Sequence, residues 1–285
     1  MIELAELSEL NNSQVPSTEL KRIDQEISRL LSQYTKNNSP SLQQMWEMMD
    51  SVWDEMGCDN QNFDIDKINK FYQHPVWTLT GLFIEQDEDS LHNRQSICDW
   101  IKQYHNDIKA IIDYGAGMAT LAKILASSLP NLSIDLYEPY PSQIVLARLS
   151  SYHNIHFVKQ LKGDLYDCLI STDVLEHVPD PLSLLSEMIN QVKPNGYLII
   201  ANCFYPVIKC HLPCTFHLRY TFNIFTRFLG LQRLETLNDH IHIYQKCKIV
   251  APNWQFLRFL EKLSRILYQF LEIIRSIYHQ IKKIQ

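Results

Sequence analysis

The sequence is short of glycine, of net positive charge and of long apolar runs. Glycine occurs seven times in 285 residues. Two glycines falling together therefore mark a backbone demand that other residues meet badly. Lys and Arg number 26 against 32 Asp and Glu, a net charge of −6. A chain of that sign is a poor general binder of phosphate backbones, so no nucleic-acid partner is expected. No apolar run reaches the roughly 18 residues of a spanning helix. The opening MIELAELSEL is acidic, without a basic segment followed by an apolar one, and does not read as a signal peptide. Seven scattered cysteines, an odd count, do not read as a disulfide framework. The expectation is a reduced, cytoplasmic protein. What is present is ordinary globular material, 46% hydrophobic and 20% charged, enough to bury a sizeable core. The length suits one large domain with helical additions.

Charge and periodicity divide the chain into three. Residues 1–60 carry eleven acids and four bases, whereas residues 253–285 carry two acids and six bases. Residues 1–87 read as a helical region with a lid at 74–87. Leu20, Ile23, Ile27, Leu30 and Tyr34 share one helical face, and Met45, Met49, Val52 and Met56 share another. Residues 88–250 form a middle unit. Residues 251–285 read as a long amphipathic helix, with apolar residues from Phe256 to Ile284 at alternating spacings of four and three. This helix has three possible settings: packed on the N-terminal helices, in a homodimer seam, or at a peripheral membrane contact.

The middle unit alternates between strand and helix. Short apolar runs stand at 110–114, 133–138, 155–158, 167–171 and 197–202, with helical patterns at 118–128, 141–151 and 181–192. Buried strands alternating with helices imply a parallel sheet covered on both faces. The runs 231–237 and 240–246 follow with almost no gap, which suits an antiparallel hairpin. The expected fold is α/β: a seven-stranded, mostly parallel Rossmann-like sheet with N-terminal helices and a C-terminal amphipathic helix.

The chemistry starts at AIIDYGAGMAT. An apolar strand runs into Asp113, then Gly115 and Gly117, then a helix. Glycines let the turn tighten and a ligand approach, and the helix start offers free N–H groups. Glu138 ends the next strand, where a carboxylate can take both hydroxyls of a ribose. A nicotinamide dinucleotide would want a third glycine where Thr120 stands. S-adenosylmethionine has no phosphate and carries an ammonium group, which Asp113 suits. The residues favour the latter.

IIDYGAGMAT, LYEPY and STDVLEHVPDPLSLLSEMINQVKPNGYLIIAN resemble the class I S-adenosylmethionine-dependent methyltransferases, with a local likeness to the ubiquinone-biosynthesis O-methyltransferase type. The resemblance covers about residues 90–202 and identifies residues 88–250 as the methyltransferase domain. It implies that Asp113, Gly115 and Gly117 hold the methionine end of the cofactor, that Glu138 binds the ribose, and that Thr172 lies beside the sulfonium. Arg94 is implied near the cofactor carboxylate. For the adenine end, Asp164 is the nearest acid.

Asp173, Glu176 and His177 form D-x-x-E-H after the fourth strand. Some relatives hold a metal with such a set, but most with LEHV do not, and none is expected here. His177 or His217 is the expected general base. The aromatic-rich stretch 203–229 reads as a lid over the acceptor, because its Cys210, His211, Cys214 and His217 do not match a zinc-finger spacing. The expected function is methyl transfer from S-adenosylmethionine to a small-molecule acceptor. The alternative is a methyltransferase-like domain that binds cofactor and serves as a partner or scaffold module without turnover.

Overall fold

A computed structural model describes residues 16–35, 40–104, 106–161 and 163–284, with side chains in the last helix placed as far as Arg275. Seven strands form one sheet in the order β3-β2-β1-β4-β5-β7-β6. They are β1 (Ala110–Tyr114), β2 (Ser133–Tyr137), β3 (Ile155–Phe157), β4 (Tyr166–Thr172), β5 (Val192–Ala201), β6 (Leu231–Leu237) and β7 (Ile241–Lys246). β1 to β5 pair in parallel, while β7 pairs antiparallel with both β5 and β6. The expected mostly parallel sheet with its terminal hairpin is the observed one.

The central strands β1, β4 and β5 alternate their side chains between two cores. Ile111, Cys168, Ile170 and Ile199 face one core. Ile112, Leu169, Leu198 and Ile200 face the other. On the first face lie α1 (Ser17–Tyr34), α2 (Leu42–Glu55), α3 (Ile65–Tyr72), α4 (Val76–Ile84), α5 (Glu88–Gln103), α6 (Thr120–Ser128) and α7 (Gln143–Leu149), all contributing to its buried cluster. The N-terminal stripes read from periodicity are buried there: Ile27, Leu30, Met45 and Val52 among them. The second face carries α8 (Pro181–Gln191) and α9 (Leu218–Phe228), which turn Leu185, Met188, Leu218, Phe222 and Phe225 inward.

The long helix α10 (Trp254–Ile284) lies against α9. Ser264 Oγ meets Thr221 Oγ1 at 2.6 Å, and Glu272 meets Arg219 at 3.1 Å. Arg258 pairs with Asp180, the N-cap of α8. Among the described residues, no helix is long and apolar enough to cross a membrane.

One half-buried ion cluster ties the N-terminal helices to the sheet layer. Glu85, just beyond α4, meets Lys123 of α6 and Arg148 of α7, the latter at 2.8 Å. Burial pushes its pKa up, but the two cations outweigh burial and leave it below the usual value. Glu85→Ala would remove the carboxylate that Lys123 and Arg148 share, and a thermal or denaturant melt should show a loss of about 1–3 kcal/mol. A carboxylate held low contributes stability above its unfolded pKa and loses it as pH falls through the folded one. The difference between variant and wild type should therefore be full at neutral pH and vanish in acid.

Candidate active site

Strand order reverses at β1, whose neighbours β2 and β4 lead in opposite directions along the sheet. The loops leaving β1 and β4 part at such a switch point and open a crevice there. A cavity of about 1030 Å³ occupies it. Its walls come from the loops after β1 (Gly115, Gly117, Met118), β2 (Glu138, Tyr140) and β4 (Asp173, Val174, His177). Its roof comes from Arg22 of α1, from Lys70 and Tyr72 of α3, and from Trp77 of α4.

The β1 loop depends on its glycines. Gly115 has φ +77°, and a Cβ there would lie 2.4 Å from Val174 Cγ2. Gly117 has φ +52° and meets nothing within 4 Å where a Cβ would stand. Its N–H donates to Glu138 Oε2 at 3.0 Å, and the Tyr140 N–H donates to Glu138 Oε1 at 3.1 Å. One carboxylate thus ties two loops together. Burial raises its pKa, and the two N–H groups pull it back. Asp113 lies behind the loop, 3% exposed. Burial pushes its pKa up to about 7, the Arg94 charge lowers it, and Glu138 raises it. Arg94 is also within electrostatic range of Asp173.

Thr172 ends β4 half-buried and does not line the cavity; its neighbour Asp173 does, at φ +55°. Asp164 precedes β4, at the end of the strand away from the cavity, with Lys246 Nζ 2.9 Å away. His217 is not brought to the site. It starts α9, 2% exposed, with its ring 3.7 Å from Glu261 of α10. Burial, with Arg265 nearby, lowers its pKa to about 4, so it is neutral.

His177 does line the cavity. Its ring is edge-on to Tyr72 and Trp77, each 6.1 Å away, and to His211 at 4.9 Å. Burial lowers its pKa to about 3. Its Nδ1 lies 3.1 Å from the Cys210 carbonyl, and the His211 Nδ1 lies 2.8 Å from the Tyr205 carbonyl. A carbonyl can only accept, so both Nδ1 atoms carry the proton and both Nε2 atoms keep a lone pair. Glu176 lies beside them, fully buried. Its Oε1 accepts from the Cys203 N–H at 2.6 Å, and its Oε2 has no partner. Burial and the Asp173 charge hold its pKa well above the usual carboxylate range. One donor atom from each of Glu176, His177 and His211 lies within 4.8 Å of the others. Two imidazoles and a carboxylate oxygen suit a divalent transition metal or zinc.

Sequence reasoning put His211 and Trp77 only within candidate lids, at 203–229 and 74–87, and did not place Tyr72 or Tyr140 at the site. His211 is 34 positions from His177 and enters through the loop beyond β5. The aromatic residues read equally well as core, and only the stacking of Tyr72 on Tyr140, rings 6.3 Å apart, shows them meeting across the cavity.

A family model described as a methyltransferase domain matches residues 90–246, which hold the whole sheet. Ubiquinone biosynthesis O-methyltransferase from Hydrogenovibrio crunogenus is 30% identical over 157 residues, 50% of this chain and 62% of that protein. The protein of the same name from Erwinia tasmaniensis is 31% identical over 155 residues, again 50% and 62%. The chain thus spans about three fifths of the length of these curated relatives. An O-methyltransferase family protein of known structure from Burkholderia thailandensis aligns with a TM-score of 0.46 at 13% identity, covering 76% of this chain and 75% of that one. With more than half of its length matched by that family model, the chain belongs to the methyltransferase domain family.

Proposed function

We propose that the protein transfers a methyl group from S-adenosylmethionine to a hydroxyl of a small aromatic acceptor. The observation that carries this is the cavity at the switch point. It combines a glycine loop, a carboxylate at the end of β2 and an aromatic wall. Typical small-molecule pockets run from roughly 300 to 1,000 Å³. This volume therefore has room for cofactor and acceptor side by side. Glu138 faces the ribose hydroxyls, the Gly115–Gly117 turn takes the methionine end, and Asp113 with Arg94 completes the charge around it. Tyr72, Trp77 and Tyr140 give a planar acceptor faces to pack on. The O-methyltransferase names of the curated relatives support oxygen as the attacked atom.

The sulfonium already activates the methyl group, so the protein's task is to align acceptor oxygen, methyl carbon and sulfur and to exclude water. A neutral His177 whose proton affinity is this low is a weak base on its own. The bare nitrogens and the unpartnered Glu176 Oε2 favour a second role. Glu176, His177 and His211 would hold a divalent cation at the cavity wall. Such an ion lowers the pKa of a bound hydroxyl.

Calorimetric titration with S-adenosylmethionine, followed by assay for S-adenosylhomocysteine with a panel of phenols and catechols, tests the proposal. Binding and turnover are expected. Tight binding with no turnover on any acceptor would favour the scaffold reading, and no binding by folded protein would overturn both. The Asp113 pKa sets a further expectation. A cationic ammonium binds better beside an ionised carboxylate, so affinity should rise between about pH 6 and 8 with proton release on binding. Titration in buffers of different ionisation enthalpy reads that release. A flat pH dependence would exclude the ammonium–Asp113 contact.

A further inference from the structure

We propose that the outer face of α10 docks on an anionic lipid surface. Its inner face is occupied: Leu257, Glu261 and Ser264 are buried, and Ser264 meets α9. Its outer face is not. Phe259, Leu263, Ile266, Phe270 and Ile273 recur at spacings of four and three, so they form one continuous stripe, each between 46% and 63% exposed. Single exposed apolar residues are ordinary, whereas a stripe of this length marks an interaction surface. At its N-terminal end the stripe continues onto α9, where the exposed Phe228 and Phe256 rings meet at 5.2 Å.

Charge identifies the occupant. α10 contains two carboxylates, and both are consumed inside the molecule. Glu261 pairs with Arg258 and Arg265, and Glu272 with Arg219 and Arg275. Lys262, exposed on the outer side of the helix, has no carboxylate partner among the described residues, nor has Arg227 beside Phe228. The face is therefore apolar with unneutralised cations at its margin, and the sequence runs on to Lys282 and Lys283. A second copy packed on this stripe about a two-fold axis would bring those cations together with no free carboxylate on either helix to meet them. A bilayer with anionic headgroups takes the apolar stripe into its acyl boundary and pairs the cations at the headgroup level. The helix is not apolar enough to span, so it lies in the surface.

The whole chain should be sedimented with vesicles of phosphatidylcholine alone and with roughly 30 mol% phosphatidylglycerol, at low and at about 0.5 M salt. Binding to the anionic vesicles is expected, at least about tenfold weaker on phosphatidylcholine or in high salt. Phe259→Ser with Phe270→Ser should abolish it while S-adenosylmethionine titration in solution is unchanged, and Lys262→Glu should weaken it on anionic vesicles alone. Vesicle binding that survives the double change would overturn the proposal. So would a dimer by light scattering that the same change converts to monomer, because the stripe would then belong to a second copy.

Discussion

Glu138→Ala should weaken S-adenosylmethionine binding by roughly 10- to 100-fold, about 1.4–2.8 kcal/mol. Two losses combine in that figure. The carboxylate that would take the ribose hydroxyls is removed. The Gly117 and Tyr140 N–H groups, which it holds at 3.0 and 3.1 Å, lose their acceptor, so the two loops walling the cavity come apart. Glu138→Gln separates these contributions, since its amide retains one accepting oxygen but its nitrogen cannot accept from the other N–H. Its affinity should fall between those of wild type and the alanine variant. Calorimetry beside a thermal melt is the check. Unchanged affinity in a folded Glu138→Ala protein would remove this residue from the cofactor site.

Glu176→Gln should give a protein that is more stable at neutral pH and yet deficient in the reaction. The carboxyl's pKa is raised by burial and by Asp173. A raised carboxylate pKa means the folded state keeps a proton that the unfolded state gives up. Stability is then greatest in acid and declines as pH climbs from the unfolded value through neutrality. A glutamine cannot ionise, so its melting temperature should exceed wild type at pH 7 to 8, with the difference vanishing near pH 4. The same change removes the one carboxylate beside the two Nε2 lone pairs that could give up its proton to a bound cation. Uptake of Mn²⁺ or Zn²⁺ by the purified protein should fall at least about tenfold, as is usual when a ligand set is disturbed. Equal metal uptake by the variant, or none by wild type, would remove the cation from the mechanism. A lower melting temperature at pH 8 would show that the carboxylate is a structural anchor for the Cys203 N–H instead.

These two residues also show what could be read in the sequence. The place of Glu138 at the cavity was readable because it follows from local order: strand, glycine turn, helix, strand, acid. The sheet was readable for the same reason. Strands buried on both faces carry consecutive apolar residues, such as Ile111-Ile112 and Leu169-Ile170, and the helices between them keep their own period. The Glu176–His177–His211 group was only two-thirds readable, since His211 comes back to the site through a loop whose course no periodicity specifies. His217 belongs to the same histidine- and cysteine-rich stretch, yet the first turn of α9 points it at Glu261 and away from the cavity. The aromatic roof fails to show for a different reason. Trp77 and Tyr72 satisfy a helix's buried face whether that face meets a core or a ligand, and the sequence pattern is identical in the two cases.

The contact between Arg258 and Asp180 joins two regions that otherwise have separate business. Asp180 stands three residues beyond His177 and caps α8, so it fixes the segment that leaves the cavity wall. Arg258 belongs to the helix assigned to the lipid surface. A displacement of α10 that breaks this pair would free the Asp180 side chain that caps α8, next to the cavity wall. Linkage between two sites is reciprocal in binding free energy. Whatever factor a surface adds to the affinity for cofactor, the cofactor adds to the affinity for the surface. If that factor exceeds one, the protein holds its cofactor best where it is moored and leaves the surface most readily when empty.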